Sequence, residues 1–201
     1  MLNIYLARHG ETEYNANGNR YCGKTDIGLT PKGMLQAEAL HQLVATQQFD
    51  AVYCSPLDRA RRTAQTAVPD QAIHIDERLI ELDFGAWEGK TRTEFIAENE
   101  ELWTNWNKDP KNNRAGGTGE TAGQLIARLD DFIQEVIQKH PQGHILIVAH
   151  NGVNRFLMAH LLGLPLQNYR KIKQHNATLT VLEYEETEGF SLVKLNCVYS
   201  K

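Results

Sequence analysis

The stretch "HILIVA", residues 144–149, constrains the fold more than any other. Its apolar run "ILIVA" is far below the about 20 residues that cross a membrane. It offers no polar face, so a strand built from it is buried in a sheet covered on both sides. Coverage on both sides calls for helices above and below the sheet. A second run, "LNIYLA" at 2–7, has the same character and also reads as a strand.

The segments between them supply the helices. "LTPKGMLQAEALHQLVA" has Thr30 as N-cap and Pro31 at the first helical position, with Ala37, Leu40 and Val44 on one face. "LDRARRTAQTAV" reads as a second helix, between strands at 50–55 and 72–75. In "TAGQLIARLDDFIQEVIQKH", Thr121 and Gln124 form a capping-box pattern and Leu125, Leu129, Phe132 and Val136 an apolar stripe. "NGVNRFLMAHLLG" is a helix ending at Gly163, and "TLTVLEY" and "FSLVKLN" alternate as strands. The expected fold class is α/β, three layers α/β/α, with a mixed, mainly parallel sheet flanked by helices.

A length of 201 residues suits one domain over 1–201. The polar stretch 99–120, with Trp103 and Trp106, reads as an insertion or lid within about 90–120. The two tryptophans, three apart, read first as packing residues, and as a substrate-selecting apolar lid in the sharper alternative. The strand "SLVKLN" offers an edge that could pair across a subunit boundary in a homodimer.

A net charge of -4 gives no bulk attraction for nucleic acid or an anionic membrane, so neither is expected as a partner. An anionic ligand must be attracted locally. Cys22, Cys54 and Cys197 are odd in number and form no CxxC, which argues against a disulfide framework and structural zinc. A reducing, cytoplasmic setting follows. The start "MLNIYLARHG" meets its first charge at Arg8, too early for a signal peptide.

Three strand ends carry the chemistry. They read Arg8-His9-Gly10, Ser55-Pro56-Leu57-Asp58-Arg59 and His150-Asn151-Gly152. In an open α/β sheet, ligands sit beyond the carboxyl ends of the strands. Taken singly, each residue has a structural reading: a hydrogen-bonded histidine, an exposed helical arginine, a surface carboxylate at Glu81. Two histidines and an arginine at strand ends together are hard to explain as structure. Arginine forks suit phosphate oxygens. Gly10 would let backbone N–H groups approach the anion, and the helix after His150 would add its dipole. A neutral imidazole beside a phosphoryl group can attack phosphorus. Glu81 could protonate the leaving oxygen, then serve as base for water.

At these residues the chain resembles the histidine phosphatase superfamily, the phosphoglycerate-mutase-like clan. "ARHGETEYN", "LTPKGMLQA", "VYCSPLDRARRTA", "ELDFGAWEG", "GETAGQLIAR" and "IVAHNGVNRFLMAHLLGLP" look like its motif blocks, in order. The resemblance implies that His9 is the nucleophile and Glu81 the proton donor. It implies a phosphate pocket of Arg8, Asn15, Arg59 and His150, with Cys22 and Gly23 near the rest of the substrate. It implies no metal and no cofactor. Asn151 departs from the family's usual glycine and could reshape the pocket, add a substrate contact or face away from it.

Within the clan, the short segment after Glu81 resembles the phosphatase branch more than the cofactor-dependent phosphoglycerate mutases. The expectation is a phosphomonoesterase acting on a small phosphorylated metabolite through a phosphohistidine. The alternatives are that mutase and a non-catalytic phosphate-binding module. A metallohydrolase lacks HExxH among the eight histidines, and "GGTGET" lacks the Gly-Lys-Ser/Thr end of a P-loop.

Overall fold

The computed structural model describes residues 1–199. The chain runs β1 (Leu2–Arg8), α1 (Glu13–Ala16), α2 (Pro31–Val44), β2 (Ala51–Cys54), α3 (Asp58–Ala67) and β3 (Ile73–Ile75). It continues α4 (Arg92–Glu98), α5 (Glu100–Lys108), α6 (Ala122–Lys139), β4 (Gly143–Ala149), α7 (Asn151–Leu161), β5 (Leu179–Glu185) and β6 (Gly189–Cys197). A 3-10 turn at Leu166–Lys171 follows α7.

The strands form one sheet in the order β3-β2-β4-β1-β5-β6. β4 runs parallel to both β1 and β2, and β2 parallel to β3. β5 and β6 are added antiparallel beside β1. The expected mixed, mainly parallel sheet is therefore observed. Its apolar runs are explained by the pleat. Along β4, Ile145, Ile147 and Ala149 join a core with α6 and α7, while Leu146 and Val148 join one with α2 and α3. Each buried Leu or Ile contributes about 1.5–3 kcal/mol, so both helical layers are held by the same strand.

Local signals set the helix ends. Thr30 caps α2 through the Gly33 N–H, with Pro31 in the first turn. Thr121 and Gln124 form the capping box of α6, and its stripe is buried. The stretch expected as a lid folds largely as α4 and α5. Trp106 is in the core, edge-on to Phe156 with ring centres 6.1 Å apart. Trp87 and Phe95 stack beside it at 4.6 Å. Packing is thus the role of Trp106, and a lid built on both tryptophans is not what the fold presents.

Candidate active site

Parallel register brings the three strand ends together. Arg8 of β1 lies beside Ala149 of β4, and the His9 N–H donates to the Ala149 carbonyl at 3.0 Å. The Ser55 N–H donates to the Val148 carbonyl at 3.1 Å on the other side. The His9 and His150 rings end 5.2 Å apart between centres. Residues about 140 positions apart in sequence so share one edge of the sheet.

Gly10 serves packing rather than the ligand. A Cβ there would lie 2.4 Å from the Gly33 carbonyl oxygen, so only glycine lets this loop rest on the start of α2. Its N–H is engaged, donating to Thr63 Oγ1 at 3.0 Å. The expected approach of this N–H to an anion is therefore not what the fold uses it for.

His9 is buried, and its Nδ1 lies 2.7 Å from the Gly10 carbonyl oxygen. A carbonyl only accepts, so Nδ1 carries the proton and the Nε2 lone pair is free. Burial, with Arg59 and Arg8 close by, holds the ring well below the ordinary histidine pKa and keeps it neutral. His150 is also kept neutral, by burial and then by Arg59 and His9. Its Nδ1 accepts from Arg59 Nε at 3.3 Å, so its Nε2–H donates to Ser55 Oγ at 2.7 Å.

The arginines are fixed by backbone carbonyls. Arg59, fully buried, donates from Nη1 to Thr25 O at 2.7 Å and from Nη2 to Gly23 O at 2.8 Å. Arg8 donates from Nη1 to Gln174 O at 3.0 Å, while its buried Nε has no partner among the described residues. Burial lowers its pKa to about 10, which still leaves it charged at neutral pH. Asn15 Oδ1 accepts from the Thr12 N–H at 3.2 Å and from Asn176 Nδ2 at 3.0 Å, which leaves its Nδ2 donor outside these bonds.

Glu81 sits at the start of α7. Its Oε1 accepts from the Leu82 N–H at 2.9 Å and the Val153 N–H at 3.0 Å, and its Oε2 from the Gly152 N–H at 3.0 Å. The N-terminal amides of α7 thus go to Glu81, not to a ligand as its sequence position suggests. Burial raises the Glu81 pKa, and the three amides only partly oppose it. Oε2 accepts one hydrogen bond and keeps a lone pair for a proton. Gly152 makes this fit, since a Cβ there would lie 2.5 Å from Glu81 Oε1.

A cleft of about 410 Å³ opens over this group. Arg8, His9, Asn15, Cys22, Glu81 and Asn151 line it. Arg59 and His150 lie behind the wall, and Gly23 turns its N–H to Glu88 and its carbonyl to Arg59. Burial pushes the Cys22 thiol up to about 11. Asn151 Oδ1 is buried without a partner among the described residues. Tyr21, Arg92, Arg155, Tyr169 and Arg170 also line the cleft and were not expected from the sequence. Arg155 alone left a signal, lying four residues after Asn151 on one face of α7. The tryptophans do not line the cleft; the α4 side contributes Thr91, Arg92 and Thr93.

Two neutral imidazoles, a buried carboxyl and clustered guanidiniums over parallel strand ends define a phosphoryl-handling α/β protein. The chain belongs to the histidine phosphatase superfamily (branch 1), whose family model matches residues 4–198. It is 34% identical over 98% of its length to a putative phosphoserine phosphatase 2 of Hydrogenobacter thermophilus, covering 96% of that protein. It is 33% identical to the adenosylcobalamin/alpha-ribazole phosphatase of Salmonella typhimurium, over 96% of this chain and 95% of that one. A crystal structure of a phosphoserine phosphatase from Entamoeba histolytica, in complex with phosphoserine, superposes with a TM-score of 0.89. It is 28% identical, with 98% of this chain and 97% of that one covered.

Proposed function

We propose that the chain is a phosphomonoesterase that hydrolyses a small phosphorylated metabolite through a phosphohistidine at His9. The observation that carries this reading is the 2.7 Å contact from His9 Nδ1 to the Gly10 carbonyl, which commits the neutral ring to an Nε2 nucleophile. Nε2 attacks phosphorus as the ester P–O bond breaks. The leaving oxygen takes the proton held on Glu81 Oε2. Water then attacks the phosphohistidine and gives a proton back to Glu81. The P–N bond breaks, and inorganic phosphate and neutral His9 are released.

Arg8 and Asn15, which line the cleft, are the donors assigned to the phosphoryl oxygens. Arg59 adds its charge from behind, and His150, pinned between Arg59 and Ser55, sets the wall beside His9. Cys22 and Asn151 face the alcohol portion. The relatives named for phosphoserine and alpha-ribazole phosphatase activity support the same reaction class. A cytoplasmic setting accords with three free cysteines. A homodimer through the β6 edge, where Leu192, Val193 and Leu195 are exposed, belongs to the same reading, and light scattering tests it.

The deciding experiment is phosphate release in EDTA by wild type and His9→Ala over a panel of esters, with quenched trapping of the phosphoenzyme. Release and an acid-labile, base-stable phosphoenzyme in wild type only are expected. Release undiminished in His9→Ala would refute the assignment. Interconversion of phosphoglycerates without net release would point to the mutase instead.

A further inference from the structure

Resting on the phosphomonoesterase reading, we propose that the outer part of the cleft is an anion subsite centred on Arg170. It selects phosphomonoesters whose alcohol carries a carboxylate. The argument starts from charge. The chain is net negative, at -4, yet the cleft is lined by Arg8, Arg20, Arg92, Arg155 and Arg170 against one carboxylate, Glu81. Arg8, with Arg59 behind it, already serves the phosphoryl end. Arg20 is neutralised by Glu94 at 2.8 Å. Among the described residues Arg92, Arg155 and Arg170 form no ion pair.

Arg155 is occupied in holding the backbone that carries Arg170. Its Nε donates to Ile172 O at 2.6 Å and its Nη2 to Arg170 O at 2.8 Å. It thereby ties the 3-10 turn at 166–171 to α7, the helix that starts beside His150.

Arg170 is held differently. Its guanidinium lies 4.4 Å from the centre of the Trp103 ring. Its Nε donates to the Tyr169 hydroxyl at 3.0 Å, and its Nη2 donates to the Tyr21 hydroxyl. Nη1 has no partner among the described residues. Rings and hydroxyls fix the fork in place without supplying a counter-charge. Arg92 approaches the same indole, 6.0 Å from its centre. A half-buried cation held still and left unpaired costs free energy that an incoming anion offsets.

A fixed guanidinium with its Nη1 free suits a carboxylate, which accepts a charge-assisted hydrogen bond from it. The same cleft holds the His9 end, so one ligand can reach both. This also gives Trp103 a function as the platform for Arg170 rather than as an apolar contact to substrate. The substrate class is therefore a phosphorylated hydroxy or amino acid, and an ester of a neutral alcohol is a poorer fit.

The test compares esters that differ only by the carboxylate: L-phosphoserine against phosphoethanolamine, and 3-phosphoglycerate against glycerol 3-phosphate. Two readouts are taken, kcat/KM in the wild type and calorimetric affinity in His9→Ala, which does not depend on turnover. Each carboxylate member is expected to be favoured about tenfold or more, the scale of one charged hydrogen bond. In Arg170→Met that ratio is expected to fall toward one. Equal kcat/KM and affinity within each pair overturn the subsite. A preference that persists in Arg170→Met overturns its assignment to Arg170. If that variant does not fold, the wild-type and His9→Ala ratios still decide whether the subsite exists. A generic aryl phosphate added to the panel separates the two levels: if neither it nor any carboxylate ester releases phosphate, the phosphomonoesterase reading fails, while the affinity ratios in His9→Ala still judge the subsite.

Discussion

Replacing Glu81 with Gln separates the proton-transfer role of this residue from its structural one. Three backbone N–H groups converge on the carboxyl, two on Oε1 and one on Oε2. A glutamine keeps the pair on its oxygen but must turn its NH2 toward the Gly152 N–H. One hydrogen bond is lost and two donors oppose each other, a cost of about 1–3 kcal/mol. Urea unfolding is expected to show a loss of that size with an unchanged m value. The kinetic effect depends on the leaving group. For alkyl phosphates, whose alkoxide needs the proton, kcat is expected to fall about a hundred- to ten-thousand-fold. For 4-nitrophenyl phosphate the leaving anion is stable, so phosphoenzyme formation survives and hydrolysis, which needs the base, becomes slow. Rapid mixing then shows a burst of nitrophenol equal to the enzyme present. Wild-type activity on alkyl esters falls as pH rises past the raised Glu81 pKa, and the variant lacks this limb. Equal losses on alkyl and aryl esters, with no burst, would refute Glu81 as the proton carrier.

Gly152→Ala places a Cβ 2.5 Å from Glu81 Oε1 within the helix backbone. It is expected to cost about 1–3 kcal/mol of stability and to lower kcat more than it raises KM; wild-type kinetics in the variant would contradict this. His9 and His150 have pKa values depressed in the fold, so the unfolded chain binds more protons just below neutrality. Stability is therefore complete above about pH 6.5 and is lost as pH falls, at up to about 1.4 kcal/mol per pH unit for each ring. Urea midpoints at pH 7, 6 and 5 measure this, and a flat profile contradicts it. Trp106→Ala removes a buried ring from the core and is expected to cost about 3–5 kcal/mol, read as a lower Tm. A small change would show that the α4–α5 segment is loosely attached.

The sequence by itself determined the frame and the chemistry that needs one short stretch. Runs such as 145–149, with no polar side, can only be strands covered on both faces. Thr30-Pro31 and Thr121 with Gln124 fix helix starts because capping is local. The strand ends bearing His9 and His150 were legible because the polar switch is abrupt and ligands gather beyond such ends. Tertiary structure alone decided which atoms are free to react. Gly10 and the first amides of α7 look like anion binders in sequence, yet Thr63 and Glu81 occupy them. The tautomers of His9 and His150 depend on partners that only the folded chain brings within hydrogen-bond reach. Arg170 was silent in the sequence for the same reason. Its partners Tyr21 and Trp103 are distant in the chain, and an arginine acquires a direction only when packed side chains on several elements hold it.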